Sequence, residues 1–154
     1  MERSIDDLIQ LLNDDDEFVI EDAMGELELR ADEAVDPLID ALSSRKKQIR
    51  LNAAILLGAI NNSKAIPALI ETLNDNNKLV RREASTSLSR MGEPAVDLLI
   101  EILNDENWRI RGAAAWALGN LGNEKAIPAL EKLLADESGF VRKGAQSAIE
   151  SINK

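Results

Sequence analysis

The sequence predicts an all-α fold, a stack of five two-helix repeats, and three observations carry that prediction. One apolar phrase returns five times: SIDDLI from Ser4, AVDPLI from Ala34, AIPALI from Ala65, AVDLLI from Ala95 and AIPALE from Ala126, at spacings of 30, 31, 30 and 31 residues. Within the repeats the apolar residues fall at i, i+3, i+4 and i+7, the period of one helix face, and no segment alternates as a strand would. The composition agrees: only 3% of residues are aromatic and 45% are hydrophobic, with Ala, Leu, Ile and Glu prominent, which favours helices over sheets.

The first helix of each repeat is defined by that phrase. Its face is Ile5, Leu8, Ile9 and Leu12 in the first repeat, Val35, Leu38, Ile39 and Leu42 in the second, Ile66, Leu69, Ile70 and Leu73 in the third, and Val96, Leu99, Ile100 and Leu103 in the fourth. The fifth breaks the set, placing Glu131 beside Ile127, Leu130 and Leu134. Pro37, Pro67 and Pro128 read as start signals, because the first turn of a helix has N–H groups without partners and a proline there loses nothing.

A polar turn follows, NDNN at Asn74, NDEN at Asn104 and ADES at Ala135, whose side chains can cap the next helix. The second helix is clearest in the fourth repeat, WRIRGAAAWALGNLG from Trp108. At about 100° per residue from Arg109, residues Ile110, Ala114, Ala117, Leu118 and Leu121 share one stripe, read as core. Gly122 reads as a left-handed C-terminal cap. No repeat could bury its faces alone, so residues 1–154 are expected to form one domain of repeats 4–33, 34–64, 65–94, 95–125 and 126–154. Repeats two steps apart match best: AIPAL at Ala65 recurs unchanged at Ala126, which suggests a doubled two-repeat unit.

The chain carries a net charge of −10, unevenly distributed. Residues 1–33 hold 13 acidic and 2 basic side chains, a net of −11; residues 34–154 hold 15 acidic and 16 basic, a net of +1. The first repeat is therefore expected to be an acidic cap that keeps the stack soluble, with a binding segment for a basic partner as the alternative. There is no Cys for disulfides or thiolate metal sites. There is no His, the usual base for a serine nucleophile and the commonest metal ligand. No apolar run approaches the length of a membrane span, and a monomeric, cytoplasmic protein that does not engage a membrane is expected.

The phrase Ile110, Arg111, Ala114, Ala115, Ala117, Leu118, Gly119, Leu121 and Gly122, preceded by an Asp turn and an apolar helix, resembles HEAT repeats of the short type found in bilin lyase subunits and small archaeal and bacterial proteins. The resemblance covers essentially the whole chain. It implies a right-handed α-α superhelix whose second helices line the concave side. It also implies a ladder from an Asp six residues before an Arg: Asp75 with Arg81, Asp105 with Arg111 and Asp136 with Arg142, each turn carboxylate meeting a guanidinium within or between repeats. Ser44 precedes Arg50 and Asp14 precedes Ile20, so the ladder should be incomplete at the N-terminal end. HEAT enzymes that hold a metal with His–Glu pairs are excluded as close functional relatives by the lack of His.

Other motifs read as structural. The run Asp14, Asp15, Asp16 and Glu17 lacks the Gly and Glu spacing of a calcium loop and is a solvated turn. The sequences GNLG and GNEK, at Gly119 and Gly122, lack the Gly-Lys-Ser/Thr ending of a phosphate loop. What remains is the solvent stripe of the second helices: Arg109, Gly112, Ala113, Trp116 and Asn120 in the fourth repeat, Leu51, Asn52 and Ile55 in the second, Arg82, Glu83, Thr86 and Arg90 in the third, Lys143 and Ser147 in the fifth. From these, Leu51, Asn52, Ile55, Arg82, Thr86, Arg90, Arg109, Trp116 and Asn120 form the candidate binding face, since exposed apolar residues among arginines have the composition of an interface centre. Trp108 is expected to pack over the turn. The expected function is a non-enzymatic scaffold for a protein or peptide, with no small-molecule cofactor and no catalytic or metal residues. Two alternatives come from the resemblance, a bilin-lyase-like accessory subunit binding a tetrapyrrole or its carrier protein, and a nucleic-acid-binding protein, which the charge disfavours.

Overall fold

The computed structural model describes residues 2–154; Met1 lies outside the described residues. Among the described residues there are ten α-helices in five consecutive pairs and no strand. The pairs are α1 (Ile5–Leu11) with α2 (Glu17–Leu29), α3 (Ala31–Ala41) with α4 (Lys47–Ile60), α5 (Ile66–Thr72) with α6 (Lys78–Arg90), α7 (Glu93–Ile102) with α8 (Trp108–Leu121), and α9 (Ile127–Lys132) with α10 (Gly139–Ile152). The pairs stack into an α-α solenoid. Second helices start where the polar turns supply a cap: Asp16, Asn77, Asn107 and Ser138 each accept a hydrogen bond from the first free N–H groups of the helix that follows.

The first-helix faces make the core. Leu8, Leu12, Leu38, Leu69, Leu73 and Leu99 are fully buried, as the apolar period requires. The fifth repeat departs from the sequence expectation: Leu134 is 46% exposed and Leu133 is buried in its place. Helix α9 stops at Lys132 and Leu133–Ala135 forms a 3₁₀ turn, whose tighter winding, three residues per turn, swings the following side chains round by a different angle. A second correction concerns Pro37. Pro67 and Pro128, and also Pro94, lie in the first turn of their helices, but α3 begins straight after a one-residue break at Arg30, so Pro37 stands inside the helix. It gives up one interior backbone hydrogen bond there.

Successive second helices, α2 on α4 through α8 on α10, pack against each other along the whole stack, whereas among the first helices only α1 and α3 meet closely. The side with the closer-packed helices is the inner side of the curve, so the second helices line the concave face. This flanking also widens the core stripe of α8. Ala114, Ala117 and Leu118 are buried as expected, but so are Arg111, Gly112, Ala115 and Gly119, because α6 and α10 cover both sides of the helix.

The closest approaches recur every 61 residues. A Cβ on Gly58 would lie 3.0 Å from the Cα of Ser87, and one on Gly119 would lie 2.9 Å from the Cα of Ala148. Only glycine permits these distances, which lets α4 and α6, and α8 and α10, approach until their backbones nearly touch. At the equivalent position of the third repeat stands Ser89, and α6 meets α8 less extensively. Left-handed helix ends follow the same period, at Asn61 (φ 57°) and Gly122 (φ 70°). So do the surface ion pairs Lys64–Asp36 (2.8 Å) and Lys125–Asp97 (2.7 Å). The doubled unit read in the sequence is thus a structural one.

Candidate functional site

The Asp and Arg positions of the turns do form a ladder, wired between repeats. Arg50 donates from Nε and Nη2 to both carboxylate oxygens of Asp75 (2.8 and 3.2 Å), and Arg111 does the same to Asp136 (2.9 and 3.1 Å). Within its own repeat each arginine reaches the backbone: Arg50 to the carbonyl of Ser44, Arg81 to that of Asp75, Arg111 to those of Asp105 and Glu106, and Arg142 to that of Asp136. The carboxylates of Asp75, Asp105 and Asp136 also accept the N–H two residues on, closing the turn. Arg50 therefore supplies a rung although its own repeat has Ser44 in place of Asp, and the ladder starts one repeat earlier than the spacing rule allows.

No rung joins Arg81 to Asp105 among the described residues. In this interface α6 meets α8 less extensively than α4 meets α6 or α8 meets α10. The Arg111–Asp136 pair is largely buried, with side-chain exposures of 10% and 8%. The Arg111 hydrogen bond is the main reason the Asp136 carboxyl is held below the usual carboxylate range, with burial opposing it. The Arg50–Asp75 and Arg111–Asp136 pairs link neighbouring repeats with little of their side chains exposed.

The concave stripe is less uniform than the sequence implies. Arg82, Arg90, Arg109, Trp116 and Asn120 are exposed, while Leu51, Ile55 and Thr86 are half-buried. Asn52 does not belong to the face: it is buried, and its Nδ2 donates to the carbonyl of Leu12 (2.9 Å) at the C-terminal end of α1. That bond satisfies a helix-end carbonyl, a structural duty a binding residue could not share. Gly112 is buried as well, under the ring of Phe140 from the next repeat.

Around Trp116, which is 48% exposed, the fourth and fifth repeats form a cleft of about 250 Å³ between α8 and α10. Gly112, Gly119, Gly144 and Ala148 lie along it, with Trp116, Phe140, Asn120 and Lys143 at its walls. Phe140 is 59% exposed and meets Trp108 edge to face, ring centroids 5.5 Å apart. Trp108 thus meets the following repeat, and the Arg109 guanidinium lies 5.4 Å from its ring centre.

Phe140 was missing from the sequence-derived face, as were Phe18, Leu29 and Leu79, all exposed. A signal for three of them existed: Phe18, Leu79 and Phe140 each immediately precede the Val that opens the core stripe of a second helix. A larger hollow of about 800 Å³ lies between the first two turns, where Asp14, Asp15 and Glu17 face Lys46 and Lys47. Its walls are charged and open, and among the described residues no group of Asp and Glu gathers closely enough to hold a metal ion.

The acidic first repeat is organised around its two cations. Arg3 contacts Asp22 (2.9 Å) and Glu26 (2.8 Å), and Arg30 contacts Glu26 (3.2 Å), Glu33 (3.0 Å) and the carbonyl of Arg3 (2.7 Å). The Arg3 hydrogen bond holds the Glu26 carboxyl below its ordinary range. The repeat is not wholly polar, however, because Phe18 and Leu29 are 81% and 88% exposed. Among the described residues no helix is long and apolar enough to cross a membrane.

With this geometry in place, comparison with known proteins assigns the class. The family of HEAT repeats matches residues 35–101 and 67–150, and the chain belongs to that family. Among solved structures, it is similar to the complex of CpcE and CpcF of phycocyanin lyase from Nostoc sp. PCC7120, with 27% identity and a TM-score of 0.59 over 99% of this chain and 66% of that one. Human deoxyhypusine hydroxylase gives 24% identity and a TM-score of 0.64 over 97% of this chain and 62% of that one. A designed armadillo repeat protein in complex with the peptide (KR)4 gives 23% and 0.52 over 95% and 80%. The chain thus spans just under two thirds of the length of both natural proteins. The last two likenesses concern the fold alone. No curated protein matches the sequence.

Proposed function

We propose that this chain is a non-enzymatic scaffold that binds a protein or peptide on its concave face, with Trp116 as the central anchor. The observation that carries the reading is the half-exposed indole of Trp116 at the wall of an apolar cleft, on a face where Arg82, Arg90 and Arg109 are also exposed. A large aromatic held by a rigid helix offers apolar area at little ordering cost, the usual make-up of a binding hot spot. Two structural neighbours fit the same use of the fold: a designed repeat protein in complex with a peptide, and a lyase protein in complex with a second chain. The test is site-specific photocrosslinking. A photoreactive side chain at position 116 should capture a protein partner that the same group at Glu101, on the first helix of that repeat, does not; equal capture from both positions would reject the face.

The likeness to the phycocyanin lyase complex supports a second reading, an accessory subunit that handles a linear tetrapyrrole or its carrier protein. A change in the absorbance of an added linear tetrapyrrole, abolished by Trp116→Ala, would favour it over the peptide reading.

A further inference from the structure

The concave face of the last three repeats carries cations that the protein leaves unused. Arg82, Arg90 and Lys143 are exposed and enter no ion pair or side-chain hydrogen bond among the described residues, and Arg109 makes only its cation–π contact with Trp108. Six of the chain's other cations, Arg3, Arg30, Arg50, Lys64, Arg111 and Lys125, have carboxylate partners within 4 Å. Four cations without carboxylate partners, against the single carboxylate of Glu83 in the same stripe, leave a local positive field turned toward solvent. The same face holds the cleft of about 250 Å³ beside Trp116 and Phe140, a volume that suits one bulky apolar side chain.

Resting on the concave-face reading above, we infer that the partner presents an acidic segment with one large apolar side chain. The apolar group enters the cleft between Trp116 and Phe140, and the flanking carboxylates meet Arg82, Arg90, Arg109 and Lys143. Guanidinium groups suit this task because they offer paired donors to a carboxylate in a fixed plane. The acidic first repeat, with Glu21, Asp22 and Glu28 along α2, would repel such a segment and so confine it to the last three repeats. A basic segment would meet the opposite arrangement. A nucleic acid also carries the required negative charge, but would bring a long run of phosphates against the net charge of −11 in residues 1–33.

The experiment uses the full chain and three short, fluorescently labelled synthetic peptides followed by anisotropy: Asp and Glu around one central Phe, the same peptide with Ser for Phe, and Lys and Arg around one central Phe. The expected result is that the acidic Phe peptide binds at least about ten-fold more tightly than either of the others and weakens as salt rises. Trp116→Ala, and Arg82→Ala combined with Arg90→Ala, should each weaken it about ten-fold or more, and Glu101→Ala should not, with unfolding midpoints recorded to show that each variant is folded. Tighter binding of the basic peptide, lost in Trp116→Ala, would overturn the acidic specificity and leave the concave-face reading standing. No binding of any peptide would also overturn the inference alone, since crosslinking from position 116 tests the face independently.

Acidic-peptide binding that ignores Trp116→Ala would count against both. A single-stranded oligonucleotide that outcompetes the acidic peptide would replace this partner with a nucleic acid. Concentration-dependent self-association, abolished by Phe18→Ser with Leu29→Ser, would replace it with the acidic α2 of a second copy.

Discussion

Replacing Arg111 by Ala tests how the stack is held together. The substitution removes four hydrogen bonds: two to the Asp136 carboxylate and one each to the carbonyls of Asp105 and Glu106. The two carbonyls lie in a turn that is partly open to water, so their loss costs about 0.5 kcal/mol each, the low end for a net hydrogen bond. Asp136 is different, because its side chain is only 8% exposed and would keep a single N–H partner, from Ser138. Leaving such a carboxylate without its counter-ion brings the total to about 3 to 4 kcal/mol, within the range for breaking a buried pair.

Arg81→Ala removes only the bond to the Asp75 carbonyl and should cost about 1 kcal/mol or less. Arg109→Ala, which removes an exposed cation–π contact, should stay under about 1 kcal/mol. Urea unfolding of the variants, compared at the midpoint with unchanged slopes, measures these differences. Equal losses for Arg81 and Arg111 would refute the alternate wiring of the ladder, since the two residues occupy the same place in their repeats.

Three further outcomes are expected. Gly119→Ala should destabilise by about 1 to 3 kcal/mol because its Cβ would meet the backbone of Ala148, whereas Gly25→Ala, with nothing within 4 Å, should stabilise by about 0.5 to 1 kcal/mol through helix propensity; thermal unfolding distinguishes the signs. Leu99→Ala should cost about 2 to 5 kcal/mol as a fully buried truncation, and the exposed Asn120→Ala under about 0.5, a contrast that denaturant midpoints will report. The lowered pKa of Asp136 means that its contribution to stability is full above the ordinary carboxylate range and is lost progressively as pH falls from that range through the lowered value. Asp136→Asn should therefore lie below the wild type at pH 7 in unfolding midpoint, with the gap closing in strong acid; a constant gap would assign the loss to packing.

The parts of the fold legible in the sequence are those set by helix period and by local chemistry. Leu8, Leu38, Leu69 and Leu99 recur at spacings of 30 or 31 residues on the apolar face of their helices and are all buried. The caps at Asn77 and Asn107 follow from side chains two or three residues away. What could not be read depends on the distance between helices that are remote in the chain. Asn52 looks like a surface residue by rotation, yet the carbonyl of Leu12, 40 residues earlier, buries it. The ladder partners are 25 residues apart, not the six that the repeated Asp-to-Arg spacing suggests. The close approaches at Gly58 and Gly119 depend on residues 29 positions further along the chain, Ser87 and Ala148.

The candidate face was legible in its arginines and in Trp116. Phe140 could have been read from its place before Val141, whereas the cleft forms only where α10 is laid against α8.

We propose that Trp116 serves a partner and not the core. The direct measurement is Trp116→Ala read two ways, as affinity for the crosslinked partner or the acidic Phe peptide and as unfolding midpoint. An exposed anchor in an interface loses about 2 kcal/mol or more in binding with an almost unchanged midpoint. A midpoint lowered by several kcal/mol with affinity intact would contradict it and return the indole to the core.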